Sequence, residues 1–196
     1  TFVSVVKKTK KNVFFKEKEI KKFLMKSRSE FNSIYSEKKL SWSQEASLNR
    51  GCYSTMVGII DHGKSIEILA VGDSIALWQE INKNMKSFFI NNEYKFFKKP
   101  TLLCNLSIND KSFYNEFNIS WSSIEIQKNL ILNGDIFLLT DALAERIFNL
   151  DNQKKNNFAI EILKKNNPEF KNWLINERSN NLIKKDDTTV AWIKIK

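Results

Sequence analysis

The alternation of apolar and polar positions divides the chain into an N-terminal helix, a strand-rich middle and a shorter return to helix and strand. Between residues 12 and 36, apolar side chains recur about every 3.6 positions, which predicts an amphipathic helix. Leu40 to Arg50 predicts a loop and a short helix that ends at Gly51. Three runs rich in β-branched and apolar residues then predict an antiparallel meander. These runs are Cys52 to Ile60, Ser65 to Val71 and Ile75 to Ile81.

The second half of the pattern is less regular. Met85 to Ile90 is a further candidate strand, and the polar, aromatic stretch 91–118 is predicted to form a flap or long loop. Phe158 to Lys165 is a candidate helix. Asn167-Pro168 predicts the start of another helix, with Asn167 as its N-cap. A polar loop from Asn176 to Lys185 and a last strand from Val190 to Ile195 follow.

The most informative stretch joins a buried strand to a helix. Asn133-Gly134-Asp135 predicts a turn, since Asn and Gly tolerate positive φ. The wholly apolar run Ile136 to Leu139 is typical of a strand buried on both faces. Thr140 and Asp141 come next, before the helix formers of residues 142–144. Asp141 is therefore either the cap of this helix, a ligand of a metal ion, or both.

Composition limits the kind of protein. The chain has 196 residues, 42% of them hydrophobic, which suits one domain with a real core, so residues 1–196 are predicted to be a single domain. Every apolar run is too short to span a membrane. Because the chain begins at Thr1 without a Met, we expect that it is not the complete gene product.

Cysteine and histidine are too few for several classes of site. Two Cys residues do not make a disulfide scaffold, and one His beside them does not complete a zinc site. A nucleophile with a His base would have to use His62. That residue stands in the hairpin turn predicted for Asp61 to Lys64, so we expect an exposed histidine there.

The net charge of +10 and the pI of about 9.5 favour anionic partners such as nucleic acid, phosphorylated protein or a membrane surface. The lysines are spread along the whole chain, however, and arginine, which clamps phosphates best, is scarce. Charge alone therefore argues weakly for a nucleic-acid binder, which is the last of the three functions that the sequence suggests.

Three acidic points lie at predicted strand ends: Asp73, Asp141, and Asp186 with its neighbour Asp187. Carboxylates that converge repel one another, and a hard cation such as Mg²⁺ or Mn²⁺ relieves that repulsion. A pair of such ions can activate a water and hold a phosphoryl group. Turn aspartates are common, so spacing alone leaves a metal site and three ordinary turns as equal alternatives.

The order of these motifs resembles that of the metal-dependent protein phosphatases, the protein phosphatase 2C family, and in particular its short bacterial branch. Each motif is short, but together they occur in the family's order from about residue 40 to the C-terminus. The matching stretches are Leu40 to Thr55, Ala70 to Ser74, Asn133 to Glu145 and Lys185 to Val190.

The resemblance implies an α+β fold, an αββα four-layer sandwich of two antiparallel sheets flanked by helices. It implies that Asp141 and Asp186 are the catalytic metal ligands and that Asp73 helps to hold a further metal. Asp187 stands where the family has Asn, and Thr55, Ser74 and Asp187 are expected around a secondary site. Residues 91–118 take the place of the family's variable flap.

The resemblance also implies an activity: a metal-activated water attacks the phosphoryl group of a phosphoserine or phosphothreonine protein. We expect two or three Mg²⁺ or Mn²⁺ ions, a phosphorylated protein as partner, a cytoplasmic monomer, and neither a membrane nor a nucleic acid. The family's early Glu-Asp and Asp-Gly motifs are not found, and Thr1 to Glu37 corresponds to the helices that follow them. The chain therefore either lacks an N-terminal part or is a degenerate member, and a phosphoprotein-binding module without turnover is the alternative function.

Overall fold

The computed structural model describes residues 17–88, 102–104, 121–150 and 161–196. Within these ranges the chain forms mixed α+β structure. The helices are α1 (Glu17–Ser36), α2 (Trp42–Arg50), α3 (Asp141–Phe148) and α4 (Asn167–Ser179). The strands are β1 (Tyr53–Ser54), β2 (Met56–Asp61), β3 (Ser65–Val71), β4 (Ile75–Glu80), β5 (Met85–Phe88), β6 (Leu103–Cys104), β7 (Trp121–Gln127), β8 (Ile131–Leu139) and β9 (Val190–Lys194).

The strands form antiparallel sheets. One sheet has the order β2-β3-β7, and a second has the order β5-β4-β8-β9. The short strands β1 and β6 pair separately, with Tyr53 opposite Cys104. The α+β class with antiparallel sheets, predicted from the sequence, is confirmed.

The four-stranded sheet is buried on both faces. On one face, Ala76, Trp78 and Ile136 join Ile66, Ile68 and Ile126 of the three-stranded sheet in one core cluster. On the other face, Ile75, Leu77, Phe137 and Leu139 pack in a second cluster with α3, and Phe170, Trp173 and Leu174 of α4 lie against it. The apolar run Ile136 to Leu139 is continuous because both of its faces meet a partner layer.

The predicted meander is wrong in one connection. β2 and β3 form the expected hairpin, but β4 does not pair with β3 and belongs to the other sheet. The chain crosses between the sheets at Gly72. Its φ of +87° is readily adopted by glycine, which has no Cβ. The local pattern of a strand, a break and a strand does not distinguish a hairpin from such a crossing.

The predicted turn at Asn133-Gly134-Asp135 lies inside β8 as a bulge. Trp78 pairs with Ile136 while Glu80 pairs with Ile131, so residues 132–135 stand opposite a single residue of β4. Gly134 has a φ of +66°, and a Cβ there would collide with the carbonyl oxygen of Ile195. The predicted positive φ is correct, but it bends one strand rather than separating two.

The start and the length of α4 also differ from the prediction. Asn166, not Asn167, is the N-cap, and its side chain accepts a hydrogen bond from the backbone of Glu169 at 3.1 Å. Pro168 is therefore the second helical residue. The helix continues to Ser179, so the predicted loop of residues 176–185 begins as helix.

The remaining predictions divide between confirmed elements and residues that lie outside the described ranges. α2 and β9 are found where the pattern places them, and so are the described parts of the predicted helix 12–36 and the predicted strand 85–90, whose residues 12–16 and 89–90 lie outside the described ranges. Of the flap-like loop 91–118, only residues 102–104 are described. Residues 158–160 of the candidate helix 158–165 lie outside the described ranges, and after residue 161 the chain forms a turn. Among the described helices, none is long and apolar enough to cross a membrane.

His62 is in the hairpin turn as predicted, but its side chain is not exposed. Only 8% of the side chain is accessible, and Nε2 lies 3.3 Å from Oε2 of Glu67, itself a buried residue of β3. The turn folds its histidine back onto the sheet, because the ring gives the buried carboxylate a partner. Neither Cys52 nor Cys104 takes part in a disulfide.

A buried carboxylate holds the bulge of β8 in place. Asp135 is 6% exposed and accepts hydrogen bonds from Nζ of Lys164 at 2.6 Å, Nε1 of Trp192 at 2.9 Å and Nζ of Lys194 at 3.1 Å. Burial by itself raises the pKa of Asp135, but these three donors outweigh it, so the pKa lies below the ordinary value of 3.8.

We expect Asp135→Ala to lower the free energy of unfolding by roughly 2–4 kcal/mol at pH 7, because it leaves Lys164, Lys194 and the indole N–H without their shared acceptor. Chemical denaturation measures this loss. Since the folded pKa is depressed, the stabilisation is present above pH 3.8 and is lost as the pH falls through the folded pKa. The gap between variant and wild type should therefore close in acid.

Asp61→Ala is the matched control. Asp61 also contacts a lysine, with Lys128 at 2.8 Å, but its side chain is 55% exposed. An exposed pair contributes at most about 1 kcal/mol. Equal losses for the two variants would contradict the importance given to the buried network.

Candidate functional site at one edge of the four-stranded sheet

Three strand ends meet in one row of the sheet. β4 begins at Ile75, β8 ends at Leu139 and β9 begins at Val190. The register pairs Ile75 with Leu139 and Leu139 with Val190, so these three residues lie side by side. The connections that leave this row carry the acidic residues singled out by sequence. Asp73 is two positions before β4, Asp141 is two positions after β8, and Asp186 is four positions before β9.

Asp73 lies on the crossing between the two sheets. Contacts among Thr55, Gly72 and Ser74 hold that crossing in place. A Cβ on Gly72 would come within 2.6 Å of Cγ2 of Thr55, so only Gly fits there. Oγ1 of Thr55 and Oγ of Ser74 are 2.6 Å apart and share a hydrogen bond. Thr55 and Ser74 thus flank Asp73, and Ser74 is buried.

Asp141 is the first residue of α3, and Thr140 before it is the N-cap. The capping position is therefore not taken by Asp141, although its charge still suits the positive end of the helix. Thr140 extends the ladder toward β9: its N–H donates to Thr189 O at 3.2 Å, and its Oγ1 accepts from the N–H of Thr189 at 3.0 Å. This contact ties the start of α3 to the segment that carries Asp186.

Asp186 and Asp187 are exposed and lie in the loop between α4 and β9. The carboxylate of Asp186 accepts the backbone N–H of Asp187 at 2.7 Å. Nη2 of Arg178, on the last turn of α4, donates to the carbonyl of Asp186 and to Oγ1 of Thr188. Arg178 thereby fixes the backbone of the loop and leaves the Asp186 carboxylate accessible.

The charges of the three aspartates interact. Burial and then repulsion from Asp141 and Asp186 raise the pKa of Asp73, while its own backbone N–H and Lys184 lower it. The net direction is upward. Asp73, Asp141 and Asp186 therefore share one electrostatic neighbourhood, although they come from three separate connections.

Sequence reasoning missed two residues of this edge. Glu145 follows Asp141 by four positions on α3, so the two carboxylates lie on the same helix face. Nζ of Lys184 lies 2.6 Å from Oε2 of Glu145 and 3.9 Å from Oδ2 of Asp141. The spacing of Asp141 and Glu145 was a usable signal, whereas only the folded chain places Lys184 between them.

A cavity of about 310 Å³ adjoins the acidic edge. The face of α3 that carries Glu145 and Arg146 forms one wall, and the loop from residue 181 to 185 forms the other. Arg146 is held by Glu177 through a 2.7 Å hydrogen bond from Nε, which stabilises the wall on the α3 side.

The carboxylates of the described residues do not converge on a common metal position. Within the described ranges, no three side chains of His, Cys, Asp or Glu are arranged so that they could together hold a metal ion. The edge therefore has the oxygen donors that a hard cation prefers, but in a spacing wider than a finished coordination shell.

Comparison with solved structures gives relatives of the fold. The serine/threonine phosphatase Stp1 from Staphylococcus aureus superposes with a TM-score of 0.54 at 16% identity, over 95% of this chain and 72% of that one. A bacterial serine phosphatase with an arginine-to-lysine substitution gives a TM-score of 0.51 at 14% identity, over 94% of this chain and 74% of that one. The sequence itself matches no protein-family model and no curated protein.

These similarities establish the fold. The chain has the sandwich architecture of the bacterial serine/threonine phosphatases, as the resemblance of its motifs implied. At such low identities the likeness does not extend to substrate, metal or turnover. Those points depend on the chemistry of the site itself.

We expect Asp73→Asn to raise the melting temperature by about 1–3 °C at pH 7, because it removes a charge that burial disfavours and that Asp141 and Asp186 repel. The sign follows from the raised pKa: the folded carboxyl ionises at higher pH than the unfolded one, so ionisation costs stability. The gain should grow as the pH rises from 3.8 through the folded pKa, and it should vanish in acid.

Thermal melts across the pH range measure this difference, and Asp187→Asn is the control. Asp187 is exposed, and the carboxylates that raise the pKa of Asp73 are those of Asp141 and Asp186. Its variant should therefore melt close to wild type. A loss of stability for Asp73→Asn at neutral pH would show that repulsion does not outweigh the favourable contacts of the Asp73 carboxylate.

Proposed function

We propose that the chain is a metal-dependent phosphoprotein phosphatase that hydrolyses phosphoserine and phosphothreonine esters with water as the nucleophile. One observation carries the proposal: Asp73, Asp141 and Asp186, from three different connections, lie next to one row of strand ends and interact electrostatically. The fold shared with bacterial serine/threonine phosphatases supports it. The cytoplasm and the monomeric state stay expectations from the resemblance.

The donor set suits Mg²⁺ or Mn²⁺. Aspartate oxygens are hard ligands, and burial together with repulsion from Asp141 and Asp186 raises the pKa of Asp73, a cost that a divalent cation would offset. In this proposal Asp141 and Asp186 hold the ions, with Asp73 toward a further one. When bound, such ions make water acidic enough to act as a nucleophile and neutralise the phosphoryl oxygens.

The chain's own residues position this edge. Thr55 and Ser74 hydrogen-bond to each other beside Asp73, Arg178 holds the loop of Asp186, and Thr140 joins the start of α3 to Thr189. Because these contacts hold the backbone of each connection, the segments that carry the carboxylates are positioned before any ligand arrives. The backbone of the three connections is thus already in place, and in this proposal the binding of the cation draws the carboxylate side chains together.

A specific observation favours a second candidate, a phosphoprotein-binding module without turnover. The described residues contain no finished group of metal ligands, and Lys184 already provides a positive charge among the carboxylates. A protein of this kind would bind a phosphopeptide and leave the ester intact. An assay of phosphopeptide binding and phosphate release separates the two candidates.

The test is hydrolysis of a phosphoserine peptide by the chain in the presence of Mn²⁺, measured as the release of inorganic phosphate. We expect turnover that a chelator abolishes. Asp141→Asn should lower kcat/KM by roughly 100-fold or more, because it removes a charged ligand beside the reacting phosphoryl group.

Asp61→Asn provides the matched control. Asp61 is an exposed aspartate at the far end of the same hairpin, opposite Ile66, whereas Asp73 follows the other end of β3. Its variant should keep wild-type turnover. Hydrolysis that survives both the chelator and Asp141→Asn contradicts the proposal, and binding of the phosphopeptide without phosphate release favours the second candidate.

A further inference from the structure

Lys184 is placed inside the acidic edge rather than beside it. It stands two positions before Asp186, in the loop that follows α4. Its ammonium makes a 2.6 Å ion pair with Glu145 and lies 3.9 Å from Asp141. The two acids are four positions apart on α3, so the lysine bridges one helix face to the loop of Asp186.

The electrostatic surroundings agree with this geometry. The hydrogen bond to Glu145 raises the pKa of Lys184, burial opposes it, and the charges of Glu145, Asp141 and Asp186 raise it further. Lys184 also lowers the pKa of Asp73. The two ion-pair distances place this ammonium between Glu145 and Asp141, which is a position that a cation would take at this edge.

The lysine is not locked in this position. Its side chain is 46% exposed, whereas those of Glu145 and Asp141 are 17% and 26% exposed. The side chain also borders the 310 Å³ cavity between α3 and the loop. An ammonium on a flexible stem can swing into that water-accessible space at little cost in desolvation.

The neighbouring lysine gives a natural comparison. Lys185 borders the same cavity, yet within the described residues it makes no ion pair or hydrogen bond. Lys184 and Lys185 have equal charge and adjacent positions, so a difference between their variants reports the contact with the carboxylates and not the net charge of the loop.

We infer that Lys184 is an internal counter-ion of the Asp141 and Glu145 carboxylates, which competes with a divalent cation and must be displaced when one binds. The inference rests on the proposed function only in that it takes the same carboxylates as the cation site. It implies that the site is self-neutralised at rest and that metal affinity is set partly by the lysine.

The experiment measures Mn²⁺ binding by calorimetry for the whole chain and three variants. Lys184→Met keeps the length of the side chain and removes the charge, Lys184→Gln keeps a donor for Glu145, and Lys185→Met is the control. We expect both Lys184 variants to bind Mn²⁺ at least about tenfold more tightly than wild type, since they lose a positive charge beside the ion. Lys185→Met should stay within about twofold.

Thermal melts give an independent readout. Without metal, the Lys184 variants should melt below wild type because the carboxylates lose their counter-ion, and saturating Mn²⁺ should raise their melting temperature more than that of wild type. If Lys184→Met does not fold, Lys184→Gln decides the question with the same two measurements.

Equal or weaker Mn²⁺ binding by the folded Lys184 variants overturns the inference, as does an equal gain for Lys185→Met. Absence of Mn²⁺ binding in every variant also overturns it. The proposed function fails separately: tighter binding in Lys184→Met without phosphate release from a phosphopeptide supports the counter-ion and rejects the phosphatase. Phosphate release by the chain together with an unchanged Mn²⁺ affinity in Lys184→Met supports the phosphatase and rejects the counter-ion.

Discussion

The pairing of β8 with both of its neighbours is the constraint on which the candidate site depends. Leu139 is opposite Ile75 on one side and Val190 on the other, so three strands end or begin in the same row. A shift of β4 or β9 by one residue would turn every side chain of that strand to the other face and expose its core residues. The burial of Ile75, Leu77, Phe137 and Leu139 therefore fixes the register. The register in turn brings together the connections that carry Asp73, Asp141 and Asp186.

The same constraint creates an electrostatic problem. The packing that stabilises the sheet partly buries Asp73 and brings it near Asp141 and Asp186, and burial and repulsion together raise the pKa of Asp73. Core burial contributes far more free energy than exposed charges cost, so the fold tolerates the repulsion. Lys184, between Glu145 and Asp141, offsets part of it. Asp135, where three donors surround one buried carboxylate, shows the opposite balance in the same sheet.

Local pattern predicts most strands correctly because their residues are buried on both faces or alternate regularly. β3 has the predicted bounds, and α2 ends at Arg50 with Gly51 as its C-cap at a positive φ of 94°, as the glycine indicated. The errors share a cause. The crossing at Gly72, the bulge at Gly134 and the inward His62 are all choices between partners that local pattern does not specify. Glycine indicates an interruption of the strand at both Gly72 and Gly134. Only the packing of the neighbouring sheet decides whether the interruption is a turn, a crossing or a bulge.

The amino-acid sequence alone indicated most of the elements, the buried runs and the acidic positions at their ends, because hydrophobic period and turn chemistry are local properties of the chain. It also supplied the motif order that implied the phosphatase fold. The packing of the folded chain settled that β4 changes sheets, that Asp73 thereby comes near enough to Asp141 and Asp186 to feel their charges, and that Lys184 lies between Glu145 and Asp141. The physical reason is that convergence of distant side chains depends on strand register and layer packing. These are set by the burial of the whole core rather than by any one segment.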